Sequence, residues 1–209
     1  MVSLRTLVTS AVAFMAAPSL AALTPAQIID GINALTTKSR ALQTPAQSIT
    51  LVNSPLIVIG QGPFPKLIVG FTDIVTTATV VINQSPGTPK ITSATDAAAV
   101  ADSFRNFVIV HQKLLNILIG KSGLLTQLPF VGPPVAAVLR QVEAVVDTIA
   151  FSLLDLIEDS ASKTSLARDH AALANTIETA IEKYSGLAGG INVKAKRDAS
   201  SVEAKVFVA

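Results

Sequence analysis

FRNFVIVHQKLLNILIGKSGLLTQLPFVGPPVAAVLRQVEAVVDTIAFSLLDLI, residues Phe104 to Ile157, is the stretch whose reading decides the fold. It divides at PFVGPP into two long apolar segments. On the first, Phe104, Phe107, His111, Leu114 and Leu118 recur at three- and four-residue intervals, the spacing of one helix face. On the second, Val135, Val138, Leu139, Val142, Val146, Ile149, Leu153 and Leu156 do the same. Pro133 or Pro134 suits the first turn of the second helix, where a missing N–H is not needed. The stretch reads as a helical hairpin. It predicts an all-α, single-domain bundle of about four to five helices around a long central apolar hairpin.

The apolar surface of the first arm is wider than one stripe, because Val108, Ile109, Val110, Leu115, Ile117 and Ile119 lie around it. A helix that is apolar nearly all round is buried in protein or sits in lipid. A spanning helix needs roughly 20 predominantly apolar residues, and Arg105, Gln112, Lys113, Asn116 and Lys121 interrupt this one. Charge at the centre of a bilayer is costly, so the arm is expected in the core of a bundle.

Toward the N-terminus, Thr24-Pro25-Ala26-Gln27 combines an N-cap, a first-turn proline and a capping-box glutamine. Ile28, Ile32, Leu35 and Leu42 mark the inner face of the helix it starts. Thr44-Pro45-Ala46-Gln47 repeats the signal and reads as a break and restart. Residues 55–65, PLIVIGQGPFP, read as a connector in which Leu56 to Ile59 form a short strand or a helix tail. Another helix follows, with Leu67, Phe71, Ile74, Val75, Ala78, Val81 and Ile82 on one side, and NQSPGTP from Asn83 reads as a loop. The hairpin begins after Ser93 or Asp96. A last helix is expected from about Ser162 to Ser185, with Leu166, His170, Leu173, Ile177, Ile181 and Tyr184 inward and Gly186 as its stop. Residues 1–21 read as a secretory signal, with Arg5, an apolar run from Leu7 to Ala17 and the cleavage pattern Ser19-Leu20-Ala21. The bundle domain is then 22–188, and 189–209 a flexible basic tail.

Composition narrows the function classes. The chain has 209 residues, of which 50% are hydrophobic and 14% charged, with a mean hydropathy of +0.55. Outside the N-terminus no uninterrupted apolar span is expected to reach membrane-crossing length. A formal charge of +2 with 4% aromatics and no Trp gives no footprint for nucleic acid. Two histidines and no cysteine are too few for a familiar structural zinc site, and no cofactor is called for. His111 has no carboxylate three or four residues away to orient it as a base, and reads as a core histidine or a ligand contact. His170 and Asp169 point to different sides, and Asp147 and Asp155 are expected to face water. No catalytic residue is assigned and the chain is expected not to be an enzyme. Asn83-Gln84-Ser85 is the only glycosylation sequon, with Pro86 behind it disfavouring modification at Asn83. Threonines and serines from Thr76 to Thr95 are candidates for O-linked sugar, and Lys196-Arg197 resembles a dibasic processing site.

The signal segment, the cysteine-free helical chain, the opening helix IIDGINALTTKSRAL and the hairpin resemble the fungal hydrophobic surface-binding protein A family, the cell wall galactomannoproteins. The likeness covers roughly residues 24–187. It implies a secreted, extracellular or wall-associated helical bundle that adsorbs to hydrophobic surfaces, some of whose relatives hold fatty acids in an internal cavity. The insert around PLIVIGQGPFP and the very apolar hairpin depart from that pattern. Partners implied are a lipid or fatty acid, hydrophobic surfaces and cell-wall polysaccharide. The expected lining is Phe71, Ile74, Phe104, Phe107, His111, Leu114, Leu115, Val142, Val146, Ile149 and Leu153, with His111, Lys113 or Tyr184 as donor to a carboxylate head. Two other readings stand beside it: a structural wall antigen without ligand, and a secreted effector whose hairpin inserts into membranes.

Overall fold

The structure, a computed structural model, describes residues 22–50, 61–125 and 131–186. Its long helices are α1 (Pro25–Ala41), α3 (Pro63–Gln84), α4 (Ala94–Lys121), α5 (Gly132–Leu156) and α6 (Ser160–Ser185). Between α1 and α3 lies the short α2 (Gln43–Gln47), and a 3-10 turn, Ser122–Leu125, follows α4. The readings of residues 1–21, of Leu56 to Ile59 and of the tail from 187 fall outside the described residues.

Each start is set locally. Thr24 Oγ1 accepts from the Gln27 N–H at 3.3 Å and the Thr24 N–H donates to Gln27 Oε1 at 2.9 Å, a reciprocal capping box. Ser93 caps α4 through the Asp96 N–H, and Asp159 caps α6 through the Ser162 N–H at 2.7 Å. The Ser162 side chain, and after it the Ser162 N–H, hold the Asp159 carboxyl below its usual range. The restart after α1 differs from its expected form: Leu42 is the N-cap and Thr44 lies inside α2. Pro63 and Pro65 sit at the head of α3, so this helix begins before Leu67 and runs to Gln84. Asn83 is therefore exposed in its last turn and not in a loop.

The five long helices close into a ring in the order α1, α4, α6, α5, α3 and back to α1. α2 packs against α3 and α4 near one end. α4 and α5, the two arms of the expected hairpin, are consecutive in the chain but are not neighbours in the ring, because α6 packs between them against both. α1 and α3 approach closely, with Gly31 against the Val81 side chain and Gly70 against Leu42. Three of the polar residues that interrupt α4 are ties to its neighbours, while Lys113 and Asn116 are exposed. Arg105 reaches Asp169 at 3.0 Å and Ser165, both on α6, and Gln112 bonds the Ala172 carbonyl at 2.9 Å and Thr176 at 3.0 Å. Lys121 donates to the Ile49 carbonyl at 3.0 Å. Ile91 and Ile157 form one isolated parallel bridge, and no strand occurs among the described residues.

α3 is longer and more apolar than the sequence reading allowed. It has 22 residues with a mean hydropathy of 1.5 over its best window, the one helix among those described long and apolar enough to cross a membrane. Its inner face, Phe64, Leu67, Phe71, Ile74 and Ala78, is buried in the bundle. Its outer face carries Val69, 68% exposed, and Val80, 50% exposed.

Candidate functional site

Ten of the eleven residues expected to line the interior belong to one apolar cluster drawn from α3, α4 and α5, and the eleventh, His111, is buried as a polar group. α1 adds Ile28, Ile32 and Leu35, and α6 adds Leu166, Leu173, Ile177 and Tyr184. Most of the interior is aliphatic, and its buried rings are Phe64, Tyr184 and an aromatic group around His111. The Phe107 ring lies 5.2 Å from the imidazole centroid, and Phe71 stands edge-on to it at 6.2 Å.

His111 is fully buried, and its Nδ1 lies 2.9 Å from Ser39 Oγ on α1. The same hydroxyl donates to the Leu35 carbonyl at 2.9 Å. A serine has one proton to give, so both bonds hold together only when Nδ1 carries the hydrogen and Ser39 accepts it. Nε2 is then a bare acceptor, and no hydrogen-bond partner reaches it among the described residues. Leaving such a group buried costs about 1–3 kcal/mol. Burial alone pushes the ring's pKa down to about 4, so the imidazole is neutral across the ordinary pH range.

The other two candidate donors do not share this place. Lys113 is exposed on the outside of α4. Tyr184 is buried, but its hydroxyl donates to the Leu118 carbonyl at 3.0 Å, and burial raises its pKa. Ser39 was missed. Its signal was present, since it falls four residues after Leu35 and seven after Ile32, on the same stripe of α1.

An apolar crevice opens where α1, α3 and α5 meet. Its volume is about 10 Å³, and it is lined chiefly by Ile28, Ile32, Val81, Ile82, Ile149 and Leu153. The serines beside it are occupied: Ser85 Oγ bonds the Val81 carbonyl and Ser152 Oγ the Thr148 carbonyl. Ile28 is eleven residues from Ser39 on α1, which places the crevice about 16 Å along the helix axis from the His111 pair.

Elsewhere Asp147 departs from its expected solvated state. It lies 2.7 Å from His170 Nε2, joining α5 to α6, while the exposed Phe151 meets the His170 ring at 5.3 Å. Asp155 does face water, and the hydrogen bond and charge of Lys90 lower its pKa. Among the described residues no group of three His, Cys, Asp or Glu gathers as a metal site.

The same arrangement of helices exists in solved structures. Ligand binding domain 1 of the Penicillium marneffei MP1 protein, complexed with arachidonic acids, superposes with a TM-score of 0.65 at 16% identity, over 77% of this chain and 99% of that one. The second ligand binding domain of the same protein, also with arachidonic acids, gives 0.63 at 15% identity over 78% and 94%. AFMP4P in complex with palmitic acid gives 0.59 at 16% identity over 77% and 99%. The fold is shared. No protein-family model matches the sequence, and no curated protein matches it.

Proposed function

We propose that this chain is a non-enzymatic lipid-binding protein that takes a fatty acyl chain into the interior of its helical ring. The observation that carries the reading is the fold: three domains of the same architecture were solved holding arachidonic or palmitic acid. The interior supports it, since its walls are valine, leucine, isoleucine and phenylalanine. Burying an acyl chain contributes about 0.8 kcal/mol per methylene, so a modest length suffices for useful affinity. The helices already fill most of that interior, so a chain enters by parting the α1–α3–α5 seam at the crevice. α3 is the movable wall of this seam, because much of its own apolar surface is not held by the bundle.

The family resemblance and the signal-like residues 1–21 extend the proposal to a secreted or wall-associated galactomannoprotein-like chain. Adsorption to hydrophobic surfaces falls to the outer face of α3. There Val69 and Val80 stand beside Thr72, Thr76 and Thr79, whose hydroxyls bond carbonyls of their own helix. With those donors bonded within their own helix the face is largely apolar, interrupted by the exposed Lys66 and by Asp73, which pairs with Lys38. Native mass spectrometry of the purified protein tests the carrier: a one-to-one acyl adduct, retained until the protein unfolds, is expected. Bare protein after incubation with palmitic and arachidonic acid would favour a structural role without ligand.

A further inference from the structure

His111 Nε2 is, among the described residues, the buried side-chain atom that the fold leaves without a hydrogen-bond partner. Burying a polar group unpaired is unfavourable, and such exceptions in folded proteins call for a cause. A purely structural histidine here has an inexpensive replacement, since Phe71 and Phe107 show that the surroundings accept an aromatic ring. Instead the ring is oriented. Ser39 fixes it from α1 through Nδ1, and the Leu35 carbonyl fixes the hydroxyl of Ser39. The result is one acceptor, held in place in an apolar interior.

We propose that His111 Nε2 receives the O–H of an uncharged polar end group on an acyl chain, either a hydroxyl or a protonated carboxyl. The assignment rests on the carrier reading and says which chemistry that carrier selects. A carboxylate anion has no proton to offer a bare acceptor, and losing its hydration in this interior is costly. The polar atom beside the ring gives it no help, since Ser39 spends its proton on the Leu35 carbonyl. A neutral O–H meets the opposite situation: it gains one hydrogen bond and relieves an unpaired atom. The polar end then lies beside Phe71 and Phe107, and the tail runs along the α1–α3–α5 seam toward the crevice, about 16 Å away along the axis of α1.

Titrating the full chain with 1-hexadecanol, its methyl ether and palmitic acid at neutral pH tests the assignment. The alcohol is expected to bind about tenfold tighter than the ether, which has the same chain and no proton to donate. His111→Phe should erase that difference by weakening the alcohol alone. Phenylalanine also changes packing, so a second readout uses the unsubstituted protein: the nitrogen-15 signal of His111 Nε2 should move with the alcohol and not with the ether. Equal affinities and an unmoved signal would overturn the role of His111 and leave the carrier standing. Failure of alcohol, ether and acid alike to bind would overturn the carrier reading, and this inference with it.

Discussion

α3 and α4 are both long and apolar, and the bundle treats them differently. Eleven residues of α4 are buried, from Ala97 to Leu118. Three of its polar residues bind it to α6 and to Ile49, so the helix is held by contacts on several sides. α3 has the higher mean hydropathy, yet only 22% of its most apolar window is buried. One ion pair, Lys38 to Asp73 at 2.5 Å, joins it to α1 across the outside of the bundle; such exposed pairs contribute little. Hydropathy alone therefore does not say which helix is the core. Placement follows from how wide the buried face is and from what the polar residues on its flanks can reach.

Three substitutions break or sharpen that contrast. Leu115 on α4 is fully buried, and Leu115→Asp should destabilise by several kcal/mol, roughly 4, because an ionised carboxylate there has no partner. Chemical denaturation measures it, and a loss below about 1 kcal/mol would show α4 to be less central than described.

The next largest effect belongs to His111. Its folded pKa of about 4 lies below the ordinary 6.5, so between these values the unfolded chain binds the proton more readily. Its contribution is fully present above about pH 6.5 and is lost as pH falls toward 4, a difference of roughly 3 kcal/mol. Carboxylates titrate in part of the same window. The comparison is therefore with His111→Phe, whose stability should fall less steeply between pH 6.5 and 4. Parallel pH profiles would mean that His111 is not buried neutral.

The smallest effect is expected on the outer face of α3. Val69→Asp should change stability by no more than about 0.5 kcal/mol while reducing adsorption to an alkylated surface. A large loss of stability would show that this face is covered.

Much of this arrangement was legible in the sequence because it is periodic. The spacing from Phe104 to Leu118 and from Val135 to Leu156 places the inner faces of α4 and α5, and Thr24-Pro25-Ala26-Gln27 sets the start of α1. What was not legible depends on partners distant in the chain. Ser39 meets His111 across 72 positions, and Asp147 meets His170 across 23. Neither pairing leaves a local pattern. The length of α3 was missed for another reason: Pro63 and Pro65 read as breakers but lie at its head, where proline is tolerated. The closing of five helices into a ring with α6 beside both hairpin arms is a tertiary fact that no single helix face encodes.

The central claim is that the interior accepts an acyl chain, and a thermal-shift series with saturated fatty acids of increasing length tests it most directly. The account predicts a melting temperature that rises with ligand concentration, since the ligand binds the folded state. The rise should grow with chain length and then level off once the seam is full. Val146, 2% exposed on α5, faces that interior, so Val146→Trp should suppress the shift, whereas Lys194→Ala in the tail should leave it unchanged. No shift at any chain length, with Val146→Trp behaving as an overpacked core substitution that costs about 1–3 kcal/mol, would contradict the claim.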